Sequence, residues 1–159
     1  MGGIVKHTIE PFIFKEAKVL ILGTMPSPKS RQQGFYYGHP QNRFWRVLAA
    51  VFGEKAPEGV EDRKSFLKKH KIALWDVLRE CEIEGASDSS IKSAIPNDVA
   101  GKIAGTDINA IFTTGKTAHD LLKKLTGTES LALPSPSPAN CAVPFDEMVL
   151  KYSAIKRFL

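Results

Sequence analysis

The sequence predicts an α/β fold: a three-layer α/β/α sandwich around a central, mostly parallel four-stranded sheet, in a single domain over residues 1–159. Two observations carry that expectation. Short continuous apolar runs alternate with stretches of helical periodicity, the pattern of strands buried on both faces and joined by crossover helices. Three of the strands also end in small or turn-forming residues, "GTMPSP", "TTGK" and "LPSPSPAN". In an open α/β sheet the ligand crevice lies beyond the carboxyl ends of the strands, so these three loops should face it together.

Taken in order, "AKVLILG" (17–23) is an apolar run closed by glycine and reads as the first core strand. Between Asn42 and Phe52 the apolar residues Phe44, Trp45, Val47, Leu48, Val51 and Phe52 recur at helical spacing, and Gly53 stops the pattern as a cap would. A charged helix over 61–70 and the strand "IALWDVL" (72–78) follow. The stretch "EGASDSSIKSAIPND" (84–98) is polar and turn-rich and reads as a surface loop with little regular structure. A short helix near 98–104, the strand "INAIFTTG" (108–115), a helix over 117–125, the strand "SLALPS" (130–135) and a closing helix near 142–157 complete the alternation. There is no internal repeat, low-complexity tract or linker.

Composition narrows the function classes. At 159 residues, 43% hydrophobic and 25% charged, the chain has the proportions of one globular domain with a real core. Its start, "MGGIVKHTIEPF", lacks the apolar core of a signal peptide, and no run approaches the roughly 18 apolar residues of a membrane span. A cytoplasmic protein without a membrane partner is expected. The two cysteines, Cys81 and Cys141, have no CxxC spacing, and the four histidines form no i, i+4 pair. No disulfide framework, metal or iron–sulfur cluster is therefore expected. The formal charge of +5 fits a polyanionic partner, and Lys29, Arg31, Arg43, Arg46 and Lys116 fall in or beside the Gly/Pro-rich loops.

Those loops lack both GxGxxG and GxxxxGK[ST], which argues against nucleotide-dependent chemistry. Ser27, Ser30 and Ser135 are nucleophiles by type alone, without a GxSxG elbow or a triad order. The stretch "GFYYGHPQNRFW" (34–45) is more informative. Gly34 and Gly38 permit close backbone approach, Pro40 stiffens the turn, and Phe35, Tyr36 and Tyr37 offer flat faces. Stacking on an aromatic is how a protein holds an extruded base. Phe44 and Trp45 lie on the helical pattern and read as core, whereas Tyr37, between glycine-flanked turns, reads as the stacking platform.

In order and spacing, "VLILGTMPSPKSRQQGFYYGHPQNRFWRVL", "TTGKTA" and "LPSPSPAN" resemble the uracil-DNA glycosylase superfamily from Val19 to Asn140, and most closely its hypoxanthine-DNA glycosylase branch. The resemblance implies a uracil-DNA glycosylase-like fold and a monofunctional glycosylase of base-excision repair. Such an enzyme hydrolyses the N-glycosidic bond of a flipped deaminated base, here hypoxanthine in deoxyinosine. The expected partner is double-stranded DNA containing that base, engaged by a monomer without a cofactor. A mismatch-specific uracil or thymine glycosylase and a catalytically weak damaged-DNA-binding module are the alternatives.

By position, the resemblance assigns Asn42 as the catalytic residue that orients the attacking water; the residue-level alternative is a helix N-cap. Thr24 and Met25 would meet the base edge through their amides, Tyr37 would stack, and His39 would touch the sugar or water or else tie its own loop. Ser27, Lys116 and Ser135 would contact the DNA backbone. Residues Ser137 to Asn140 would enter the duplex, with Pro138 or Asn140 a better wedge than Ser137. Two departures stand out: Met25 occupies the place of the usual Asp or Asn, and Leu133 that of a histidine. A thioether can neither activate nor hold a water in their stead.

Overall fold

In a computed structural model that describes residues 3–84 and 87–159, the elements are β1 Ile4–Lys6, β2 Val19–Gly23, α1 Pro28–Gln33, α2 Phe44–Val51, α3 Gly59–Lys69, β3 Ile72–Asp76, β4 Leu78–Glu84, β5 Ser87–Pro96, α4 Val99–Ile103, β6 Ala110–Thr114, α5 Lys116–Thr126, β7 Leu131–Leu133 and α6 Phe145–Tyr152. A 3₁₀ turn over Ser153–Phe158 closes the chain. Strands β3, β2, β6 and β7 form, in that order, a four-stranded sheet in which every pairing is parallel. Every residue of β2 and β3 is buried, which is why these strands read as continuous apolar runs rather than alternating ones. The helices pack around this sheet: α3 against β3, α5 against β6 and β7, and α2 against α6.

Trp45, Val47, Leu48 and Val51 turn one stripe of α2 into the core, and Gly53 ends the helix at φ 66°. Phe44 joins Tyr152 of α6 edge-to-face, so the helix that follows the aromatic stretch is locked to the last helix of the chain.

Three differences from the sequence expectation matter for the site. The stretch read as a loop, 84–98, instead supplies β5, which pairs antiparallel with β4, while β1 pairs with the other edge of β4. Residues 85 and 86 of that stretch lie outside the described residues. Serine and aspartate are poor strand formers. Pairing is made by backbone groups, however, and the ladder accommodates them through register shifts, with Ser93 at φ 52°. Second, "SPKSRQQ" is a helix start: Ser27 Oγ accepts from Ser30 N at 3.2 Å and Pro28 occupies the first turn. Third, the closing helix begins only after Pro144 and tightens to 3₁₀ from Ser153.

Candidate active site

The carboxyl ends of β2, β3 and β6 open into a cavity of about 510 Å³, bordered by "GTMPS" after β2, the aromatic stretch before α2, and the loop after β7. The turn after β6 is drawn to the end of β7 at Gly115, whose N–H donates to Leu133 O at 2.7 Å. A β-carbon at Gly115 would stand 3.3 Å from Ser135 Cβ, and its φ of 104° suits glycine alone.

Tyr37 is built into this wall with unusual firmness. It sits at φ 52°, a left-handed backbone that costs a tyrosine energy and persists only where surroundings impose it. Here Trp45 Nε1 donates to the carbonyls of Tyr36 and Tyr37 at 3.3 and 3.2 Å. Gly38 N donates to Ser30 Oγ at 2.9 Å, tying the stretch to α1. A β-carbon at Gly38 would collide with Gln33. The Tyr37 hydroxyl lies 2.9 Å from Thr114 Oγ1, and one ring face is covered by Phe44, with centroids 3.9 Å apart and planes 12° from parallel. The rest of the half-buried ring borders the cavity. Phe35 and Tyr36 do not offer free faces, contrary to expectation: both are buried, and Tyr36 spends its hydroxyl on Glu10 O at 2.9 Å. Phe44 and Trp45 are core.

Asn42 borders the same cavity, and its Oδ1 accepts from Phe44 N at 2.9 Å at the entrance of α2. The bond to the start of α2 is present, and the residue also stands on the cavity wall. The cap uses one lone pair, leaving the second lone pair and the NH₂ group for other partners. His39 also lines the cavity and accepts from Gln41 N through Nδ1 at 3.1 Å, a bond within its own loop. Thr24, Met25, Ser27, Ser135, Ser137 and Pro138 all line the cavity. Ser135 and Ser137 accept from Ser137 N and Ala139 N, each at 3.2 Å, so their hydroxyls also shape the loop.

Two expected DNA contacts stand elsewhere. Lys116 opens α5 outside the cavity lining, its ammonium paired with Asp120 at 2.6 Å on an exposed surface. Asn140, a candidate wedge, lies in a neighbouring groove with Pro40, Arg43 and Arg46, and its amide donates one N–H to Ser135 O at 2.9 Å. Leu133 is buried in the core and is not among the residues lining the cavity.

Sequence reasoning missed the acidic side of the pocket. Asp76, the last residue of β3, is buried at the floor, with its Oδ2 2.8 Å from Nε2 of His7, just beyond β1. A β-carbon at Gly23 would lie 2.6 Å from Asp76 Oδ1, 3.2 Å from the Tyr37 hydroxyl and 3.6 Å from Thr114 Oγ1, so these three polar groups converge on the end of β2. Asn97 holds the corner, donating to the carbonyls of Asp76 and Leu78 at 3.0 and 3.1 Å. Burial, reinforced by the Asp76 charge, pushes the phenol of Tyr37 far above its ordinary value and keeps it neutral. Asp88, on β5, enters the rim, where its Oδ2 accepts from Thr24 Oγ1 at 3.3 Å. A carboxylate closing an otherwise apolar buried strand was a readable signal for Asp76. Nothing local marks His7 or Asp88, because each is brought in by the second sheet.

A parallel sheet ends here in an aromatic ring, an amide and a buried carboxylate beside a proline-serine loop, and the class of protein is that of a DNA glycosylase. The model of the uracil DNA glycosylase superfamily matches residues 11–152, and the chain belongs to that superfamily. It is 33% identical over 139 residues to a hypoxanthine DNA glycosylase of Methanosarcina barkeri, spanning 85% of this chain and 88% of the relative. It is also 33% identical over 141 residues to one of Methanosarcina acetivorans, spanning 86% and 89%. A solution structure from M. acetivorans, provisionally named a uracil DNA glycosylase, superposes with a TM-score of 0.77 at 30% identity, covering 97% of this chain and 99% of that one.

Proposed function

We propose that this glycosylase removes hypoxanthine from deoxyinosine in double-stranded DNA. The observation that carries the reading is the convergence of Tyr37, Asn42 and Asp76 on one cavity. On this reading the base stacks against Tyr37, and Asp76 accepts from the lactam N–H at N1, with the amides of Thr24 and Met25 available to the neighbouring carbonyl. Adenine presents an acceptor rather than a donor at N1, so a fixed acceptor there favours the deaminated base. Asn42 orients the water that attacks C1′; an amide orients without deprotonating, which suits a sugar already cationic in the transition state. Loops bearing Ser27, Ser135, Ser137 and Pro138 take the flanking backbone and the vacated stack.

No lysine lines the cavity among the described residues, so the enzyme is expected to leave abasic sites that break only after alkali. Uracil also carries an N–H between carbonyls, and the same carboxylate can read it; that observation favours a mismatch-directed uracil glycosylase as the second reading. Labelled duplexes containing deoxyinosine, uracil opposite guanine, thymine opposite guanine or xanthine, compared in single turnover, separate the two. Abasic product from none of them, even with enzyme in excess, overturns the glycosylase reading.

A further inference from the structure

The backbone and the side chain of Asp76 are held by different parts of the fold. Its backbone belongs to the parallel sheet: Asp76 pairs with Gly23 of β2, and Asn97 Nδ2 donates to its carbonyl at 3.0 Å. Neither contact fixes the carboxyl group, which turns about two side-chain bonds. Among the described residues a single hydrogen bond does, between His7 Nε2 and Oδ2 at 2.8 Å, and the two side chains are only 4% and 5% exposed. His7 is itself fixed. Its backbone N–H donates to Arg79 O at 2.7 Å, which carries the β1–β4 ladder one residue further, and its ring packs beside that of Tyr36, with centroids 6.0 Å apart. Tyr36 is anchored in turn by its bond to Glu10 O. The imidazole thus reaches the floor of the cavity from the antiparallel sheet, while the carboxylate it holds comes from the parallel one. With Oδ2 occupied, Oδ1 remains, beside Gly23 and on the side of the Tyr37 and Thr114 hydroxyls. Those hydroxyls bond to each other at 2.9 Å. A carboxyl group free to turn would find a ready donor in them, and an acceptor spent there is lost to a base.

We propose that His7 is a positioning residue for base recognition: its Nε2–H holds Oδ2 of Asp76, so that the other oxygen stays free to accept from N1–H of hypoxanthine. The inference rests on the hypoxanthine reading above. His7 is not among the residues lining the cavity, so it acts through Asp76 and not on the base. Holding the acceptor still matters because a group misplaced by about 1 Å costs on the order of 10²-fold in rate. The small antiparallel sheet thereby becomes part of the site, as the support that carries the imidazole to the carboxylate.

The test is a double-mutant cycle read as single-turnover release of hypoxanthine from a deoxyinosine duplex, with His7→Met, Asp76→Ala and the two combined, and with His7→Gln beside them. His7→Met should be slower by on the order of 10²-fold, and Asp76→Ala at least as slow. The combined variant should be no slower than Asp76→Ala, because nothing is left to position. Glutamine keeps an N–H at about the reach of Nε2, so His7→Gln should return to within about tenfold of the wild type, whereas methionine would serve a packing role as well as glutamine. Binding of an abasic duplex reports that each variant is folded. Where one is not, the wild type carries the test through the imidazole nitrogen resonances of His7: Nε2 should bear the proton, and keep it when an abasic duplex and hypoxanthine are added. A bare Nε2, a His7→Met rate within a few-fold of wild type, a glutamine variant no faster than the methionine one, or a combined variant slowed by the product of the two single effects overturns the proposal and leaves the hypoxanthine reading intact. An Asp76→Ala variant at the wild-type rate removes the acceptor and the proposal with it. A wild type that releases no hypoxanthine overturns the hypoxanthine reading itself, and the proposal that rests on it.

Discussion

Replacing Asn42 separates its bond to the start of α2 from the water-orienting role proposed for it. Its Oδ1 accepts from Phe44 N, the first amide of α2, at 2.9 Å, a cap-like bond made one residue ahead of the N-cap Arg43, and the residue lines the cavity. Serine keeps a capping oxygen at nearly the same quality, whereas alanine removes it and costs about 1 kcal/mol. In a domain of this size that corresponds to a melting shift of about 2–4 °C. Neither variant can hold a water at the reach of an amide, and loss of one oriented transition-state contact costs about 2.7–4 kcal/mol, or roughly 10²–10³ in rate. Asn42→Ser should therefore melt close to wild type yet excise roughly 10²–10³-fold more slowly, while Asn42→Ala loses both. Thermal melts by circular dichroism and single-turnover excision of deoxyinosine supply the two readings. A serine variant with wild-type rate, or an alanine variant slowed only in proportion to its unfolded fraction, would refute a catalytic Asn42 and leave the cap alone.

Other consequences are as direct. All three tyrosines, Tyr36, Tyr37 and Tyr152, have phenols pushed up, first of all by burial. Their neutral forms are favoured by folding, so the stability they contribute is intact below the ordinary value near 10 and is lost as pH rises above it. Phenolate absorbance should appear only together with alkaline unfolding; a phenolate signal near pH 10 with the dichroism unchanged would contradict the packing. Arg43 donates to Val143 O and Asn140 O at 2.8 and 2.7 Å, so Arg43→Met should cost on the order of 2 kcal/mol and speed proteolytic cleavage within 134–142. Equal cleavage rates would show that the loop holds itself. Gly23→Ala, with its new carbon 2.6 Å from Asp76 Oδ1, should destabilise by about 1–3 kcal/mol and slow excision at least tenfold by displacing the acceptor. Unchanged kinetics would exclude Asp76 from base recognition.

The parallel sheet was legible because its strands are buried on both faces, and continuous apolar runs such as "VLILG" and "IALW" have few other uses. Tyr37 and Asn42 were legible as a pair because they flank a turn between strand and helix. What stayed hidden is the antiparallel sheet of β1, β4 and β5. Strand β5 is mostly exposed or half-buried, carries four serines, and owes its form to backbone pairing with a neighbour, which leaves little trace in hydropathy. His7 meets Asp76 across 69 positions, and Thr24 meets Asp88 across 64. Contacts at such separation are written in topology rather than in local pattern.

The hidden sheet also bears on why this pocket can work with Met25 and Leu133 where a polar pair is usual. In a transition state of oxocarbenium character the bond to the base is largely broken before the water bonds, so help to the departing base counts for more than help to the nucleophile. On the proposed reading a neutral amide at Asn42 then suffices for the water. The charge that must be managed is on the base, and that is the side of the cavity where β3 and β5 bring Asp76 and Asp88. On the proposed reading, the loss of the usual polar residues at Met25 and Leu133 and the presence of a buried carboxylate at the end of β3 are two halves of one change, from activating water to holding the leaving base.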